Sequence, residues 1–191
     1  MKTLILFLIA FSIQAQTIQL FWDFDGDKSA DLTYSCDDGD TLTAYLYMVN
    51  ADTSITADYP IYDFELPIIY GYYTRWSSNS DYSNIITVNS VVFDTTALML
   101  DSSDVPVFSY NNNSSLRRMN ISFNDTNDVG IVADSCIAIF TFIVSGTGTQ
   151  ILQFNRVALE DNHNVFYNTV VLNEKRINYD LWVRNCVITS E

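Results

Sequence analysis

Nine consecutive residues, Asp23-Phe24-Asp25-Gly26-Asp27-Lys28-Ser29-Ala30-Asp31, carry four carboxylates. Aspartates at the first, third and fifth places point into one concavity when Gly26 lets the chain turn sharply. Asp31, at the ninth place, can close the cage, and the Ser29 carbonyl is placed to add an oxygen. Calcium takes six to eight hard oxygen ligands, so Asp23, Asp25, Asp27 and Asp31 form a candidate calcium loop. The twelfth place is Tyr34, not the bidentate glutamate of an EF-hand. An ion held there would consume the carboxylates, which gives it a structural role. Without an ion, the same residues describe a solvated turn whose aspartates cap backbone amides.

A second group is aromatic. Tyr70, Tyr72, Tyr73, Trp76 and Tyr82 lie in a Ser/Asn-rich stretch. Sugar rings pack their C–H faces on aromatic rings while Asn and Ser bond hydroxyls, so Tyr72, Tyr73, Trp76 and Tyr82 are candidate glycan contacts. The same residues can also fold over a core. Asn112, Asn113, Asn120 and Asn124 open Asn-x-Ser/Thr sequons, which matter only in a eukaryotic secretory pathway. Catalysis finds no pattern: no carboxylate spacing singles out an acid/base pair. His163 is the only histidine, and Cys36, Cys136 and Cys186 match no zinc spacing. In an oxidising compartment two of the three can pair, Cys36 with Cys186 being the pairing the tail would permit.

These groups need a scaffold, and the composition says which kind. Lys2 precedes an apolar run from Leu4 to Phe11, with the small residue Ala15 at a cleavage position. That layout reads as a signal peptide over residues 1–15, too short to span a bilayer core of about 30 Å. The remainder suits one domain with a full core. It is rich in Val, Ile, Thr, Tyr and Phe, side chains that favour pleated strands over helices. Alternation marks Thr41–Asn50, Tyr59–Ile69 and Leu116–Asn124, with Leu42, Ala44, Leu46, Met48, Tyr62, Phe64, Leu66, Ile68, Met119, Ile121 and Phe123 facing inward. Further strands are expected at Thr17–Trp22, Ile85–Phe93, Ala97–Leu100, Gln150–Leu159 and Thr169–Leu172. Ala138–Val144 is nearly all apolar, as for a central strand covered on both faces. Turn-rich stretches separate these segments, which indicates an all-β sandwich. The net charge of −14 repels phosphate backbones and argues against nucleic acid as a partner.

The order of the pieces resembles a cohesin domain. The resemblance rests on Gly39-Asp40-Thr41-Leu42-Thr43, Tyr62-Asp63-Phe64-Glu65-Leu66 and Met119-Asn120-Ile121-Ser122-Phe123-Asn124-Asp125. It rests further on Asp134 to Val144, Val157 to Asn162 and Val170-Val171-Leu172. It covers roughly residues 39–173 and lies in pattern more than in identity. It implies a jelly-roll sandwich of about nine strands and a partner of the dockerin class, in polysaccharide-degrading assemblies. It also implies that Asp63, Glu65, Arg118, Asn120 and Ser122, on the outward face of the corresponding strands, engage that partner. The acidic loop before Gly39 is a departure from cohesins. It is similar to the calcium loops of FG-GAP repeats, with Lys28 standing where a glycine is usual.

The expected organisation is therefore a signal peptide over 1–15 and an N-terminal strand with its acidic loop over 16–38. A sandwich follows over 39–177, and a tail over 178–191 reads as an extra strand or the start of a linker. The expected function is a secreted, non-catalytic recognition module for a dockerin-type protein or a polysaccharide, with calcium as a structural ion. A structural component of an extracellular surface or particle is the alternative.

Overall fold

The computed structural model describes residues 16–50, 63–70, 84–93, 106–113, 117–124, 134–154, 158–160, 165–167 and 179–191. Among them the chain forms thirteen strands. The first seven are β1 (Gln16–Asp23), β2 (Thr33–Cys36), β3 (Thr41–Asn50), β4 (Asp63–Ile69), β5 (Ile86–Phe93), β6 (Val107–Asn111) and β7 (Arg118–Asn124). They continue with β8 (Ser135–Val144), β9 (Gly148–Phe154), β10 (Ala158–Glu160), β11 (Val165–Tyr167), β12 (Tyr179–Val183) and β13 (Cys186–Ser190). One sheet has the order β12-β1-β3-β8-β5. The other runs β11-β10-β4-β9-β13-β2, with β7 on β4 and β6 on β7.

Alternation decides which face of each strand is buried. In β3, Leu42, Ala44, Leu46 and Met48 are buried, and Thr41 and Thr43 between them are exposed. Leu66 and Ile68 of β4 and Met119 and Ile121 of β7 close the core from the opposite sheet. Trp22 of β1 lies at its centre, fully buried. Its ring stacks on Phe154 of β9 with centroids 5.6 Å apart and meets Phe140 of β8 edge-on at 5.4 Å. One side chain thus couples both sheets, in the offset and edge-to-face arrangements aromatic quadrupoles favour.

Three details depart from the sequence expectation. β8 is central, but its outer face is open: Ile143 is 40% exposed, so only one side of the strand is fully covered. The strand expected over Gln150–Leu159 is two strands, because β9 pairs with β13 whereas β10 pairs with β4 and β11. No disulfide joins the three cysteines. β13 runs parallel to β2 with Ser190 opposite Cys36, which leaves Cys186 four residues back along its strand. At about 3.3 Å per residue that is about 13 Å, beyond the roughly 7 Å Cα separation a disulfide tolerates. The stretch 178–191 contributes β12 and β13, paired with β1 and with both β9 and β2. The strands expected at Ala97–Leu100 and Thr169–Leu172, and residues 1–15, lie outside the described residues.

Candidate functional site

The acidic stretch leaves β1 at Asp23 and folds back so that the Asp31 amide donates to the Trp22 carbonyl at 2.8 Å. Asp23 is fully buried. Its Oδ1 accepts the amides of Asp25 and Gly26 at 3.1 and 2.7 Å, and its Oδ2 accepts that of Lys28 at 2.9 Å. Gly26 and Lys28 both take left-handed backbone angles, φ 81° and 65°. The lysine therefore sits in the conformation that a glycine adopts without a Cβ penalty. One oxygen from each of Asp23, Asp25 and Asp27 lies within 4.8 Å of the others. Asp31 is not in that group, and its Oδ2 accepts the Phe24 amide at 2.7 Å. The Asp27 amide pulls the Asp25 pKa down, but desolvation and the charges of Asp27, Asp31 and Asp23 outweigh it and leave the value raised. The Ser29 hydroxyl and amide hold the Asp27 carboxyl below its ordinary value. Hard oxygens gathered this closely suit calcium in chemistry and repel one another without a cation.

The second candidate is the outer face of β4 and β7. Glu65 pairs with Ser122, Pro67 with Asn120 and Ile69 with Arg118. Glu65 and Arg118 are exposed, while Asn120 and Ser122 are half-buried. The two residues stand four positions apart in register, about 13 Å along the backbone. The Asn120 Oδ1 is shielded from solvent and accepts no hydrogen bond among the described residues. A shielded carbonyl without a donor costs about 1–3 kcal/mol. Asp63 pairs with Asn124 in the same ladder, but its side chain lies outside the described residues, as do Tyr72, Tyr73, Trp76 and Tyr82.

A clasp that the sequence reading missed fixes this face against the other sheet. Fully buried Tyr70 follows β4 directly, and its hydroxyl donates to Asn112 Oδ1 at 2.6 Å. The same oxygen accepts the Val88 amide at 3.1 Å, and Asn112 Nδ2 donates to the Val88 carbonyl at 2.9 Å. Two residues along β5, the Ile86 amide donates to Gln150 Oε1 at 2.8 Å, and the Ile86 carbonyl accepts Arg117. Side chains of the second sheet thus occupy the edge groups of β5 that a further strand would otherwise pair. Desolvation pushes the Tyr70 phenol up to about 12 and lowers the Arg117 guanidinium. Asn112 and Arg117 flank the β6–β7 turn, so the clasp sets the position of the hairpin that carries Arg118, Asn120 and Ser122. Its parts come from four separate segments, and no local pattern announces them.

No family profile matches the sequence, and no curated protein matches it either. Solved structures do match. The seventh ScaB type I cohesin of Pseudobacteroides cellulosolvens superposes with a TM-score of 0.54 at 13% identity, over 93% of this chain and 92% of that one. The chain has a cohesin-like fold. The cohesin CaCohA2 of Clostridium acetobutylicum gives 0.51 at 17% identity, over 94% of each chain. The OlpA cohesin of Clostridium thermocellum, solved with a dockerin, gives 0.54 at 14%, over 92% of this chain and 99% of that one. At these identities the likeness is one of fold, and it bears out the jelly-roll sandwich expected from the order of strands. Among the described residues, no helix is long and apolar enough to cross a membrane.

Proposed function

We propose that the protein is a secreted, non-catalytic recognition module that docks a dockerin-type partner on the outer face of β6, β7 and β4. The observation that carries this reading is the face itself. It sets two opposite charges, Glu65 and Arg118, around half-buried Asn120. Asp63 and Ser122 complete the proposed contact set. The likeness to cohesins solved with dockerins supports the class of partner. The test is an immobilised panel of dockerin modules probed with the native chain and with Glu65→Arg/Arg118→Glu. Binding by one or more dockerins that falls at least tenfold in the double variant supports the reading. Absence of binding across the panel refutes it.

Calcium belongs to the same proposal. Asp23, Asp25 and Asp27 would hold the ion, and Asp31 would join them by releasing the Phe24 amide. Bound there, the ion would pin the turn between β1 and β2. An ion that binds only the folded chain stabilises it by about 2.7 kcal/mol at a hundredfold excess over Kd. Melting in millimolar calcium should therefore exceed melting in EDTA, and Asp25→Ala/Asp27→Ala should remove the difference. Identical curves, with no heat of binding, leave the segment an acidic turn. Polysaccharide recognition is a second reading, favoured by the uncharged outer face of the five-stranded sheet.

A further inference from the structure

The five-stranded sheet turns a chemically distinctive face to solvent. Along β3, the outward positions are Thr41, Thr43, Tyr45, Tyr47 and Val49, alternating with buried Leu42, Ala44, Leu46 and Met48. Register extends this line sideways. Thr43 lies opposite Thr141 of β8, which lies opposite Ser90 of β5, giving a row of three hydroxyls. Tyr45 lies opposite Ile139, and Ile139 opposite Val92, giving a parallel apolar row. Neighbouring strands are about 4.8 Å apart and alternate residues about 7 Å, so the rows form a grid of rings, methyls and hydroxyls. The grid is open: Val92 is 61% exposed, and Thr43 and Ser90 are exposed.

On these strands of a chain with net charge −14, no described side chain on this face is an accessible acid or base. Asp23 shares the face but is fully buried under its own turn. Among the described residues, exposed carboxylates border the face at both ends, with Asp134 just before β8 at the far one. Asp25 and Asp27 flank Gly26, where a methyl group would lie 3.9 Å from Tyr45 Cε2, and exposed Asp37, Asp38 and Asp40 lead into Thr41. That rim selects the occupant. An anionic bilayer or nucleic acid meets repulsion from these carboxylates within a Debye length of about 10 Å. A basic protein would seek the rim and leave the neutral grid uncovered. An extended neutral polysaccharide pays no such penalty. Its pyranose rings offer apolar C–H faces to Tyr45, Tyr47 and Ile139, and their hydroxyl edges match Thr43, Thr141 and Ser90. Sites for such ligands combine apolar area with a few placed polar groups.

We infer that the outer face of β3, β8 and β5 is a docking surface for an extended neutral polysaccharide, on the opposite side of the sandwich from the proposed dockerin face. The inference rests on the polysaccharide reading above and is independent of the dockerin reading. The test is depletion of the purified chain from solution by microcrystalline cellulose and by chitin, at 0.05 and 0.5 M NaCl. Binding should persist at the higher salt, since no charge pair is used. Thr43→Glu/Ile143→Asp, at two exposed positions, should raise the half-saturating concentration at least tenfold, and Tyr45→Ala should do the same. Circular dichroism and an unchanged dockerin response serve as controls for folding. Depletion unaltered by these variants moves the site elsewhere while leaving the polysaccharide reading intact. No depletion by either polymer removes that reading itself. Dimerisation in sedimentation velocity that the same variants abolish assigns the face to a second copy and overturns the inference.

Discussion

Asn112→Ala should be among the most damaging substitutions at a partly exposed position. The side chain makes three hydrogen bonds, one with the Tyr70 hydroxyl and two with the Val88 peptide groups. A net hydrogen bond contributes about 1 kcal/mol, and a buried group left without its partner costs about 1–3 kcal/mol. The Val88 groups lie at an edge that water can reach once the side chain is gone, so they forfeit about 1 kcal/mol together. The Tyr70 hydroxyl is fully buried and gains no substitute. The sum is about 3 kcal/mol, or about 6–12 °C in Tm for a domain of this size. Tyr70→Phe removes the orphan at its source and should cost only about 1 kcal/mol. The double variant should then cost about 1–2 kcal/mol less than the two singles added, because Asn112→Ala no longer strands a hydroxyl. Urea unfolding of the four proteins at pH 7 gives the cycle directly. Additivity within about 0.5 kcal/mol, or a loss below 1 kcal/mol for Asn112→Ala, refutes the clasp as a source of stability.

Three other outcomes follow from the geometry. Lys28→Gly should stabilise the chain by about 0.5–1 kcal/mol in urea unfolding, since the left-handed backbone at φ 65° costs an L-residue about 1–2 kcal/mol and glycine returns part of that as unfolded-state entropy. Burial raises the Cys186 thiol from its ordinary 9.0 to about 12 and the Tyr70 phenol from 10.0 to about 12, so stability held below pH 9 should fall as pH rises toward 12. Cys186→Val should lessen the fall between about pH 9 and 10 in melts taken across the alkaline range, with the raised Cys36 thiol leaving part of it. Ser190→Cys should form a disulfide with Cys36 under mild oxidation, seen by mass spectrometry, with Cys186 remaining reduced.

What the sequence disclosed, and what it hid, follows from the range of the interaction involved. β3, β4 and β7 were legible because one buried face imposes a period of two on neighbouring residues, as Leu42, Ala44, Leu46 and Met48 show. β2 was not. Thr33–Cys36 is polar and short, and it becomes a strand only because Cys186–Ser190, some 150 residues later, lies parallel beside it. β6, with its sequence Val-Phe-Ser-Tyr-Asn, presents mostly exposed side chains and takes its pairing from β7 alone. The acidic turn was legible in outline, since Asp23, Asp25 and Asp27 do converge. The turning of Asp31 onto the Phe24 amide was not, because either partner of that carboxylate suits the same spacing. The clasp of Tyr70, Val88, Asn112 and Arg117 has no sequence signal, being made by single side chains that meet only after both sheets have formed.

The placement of charge bears on the two proposed faces. A sheet face recruits partners by desolvation, and an ionised side chain near its centre opposes that unless it is paired. Here Asp25, Asp27, Asp37, Asp38 and Asp40 all lie in the turns where β1 ends and β3 begins, because Asp23 pairs with Tyr45 and Thr41 opens the neighbouring strand. The turns gain from this: Asp38 caps the Gly146 amide at 2.6 Å and Asp40 the Asp37 amide at 2.9 Å. The outer face of β3, β8 and β5 carries no described charged side chain, whereas β4 and β7 bring Asp63, Glu65 and Arg118 to the proposed dockerin face. The clasp then matters for both faces at once. It joins the hairpin bearing Arg118 and Asn120 to β5, the strand bearing Ser90 and Val92. Loosening Asn112 should therefore weaken dockerin and polysaccharide binding together, whereas Thr43→Glu/Ile143→Asp should affect only the latter.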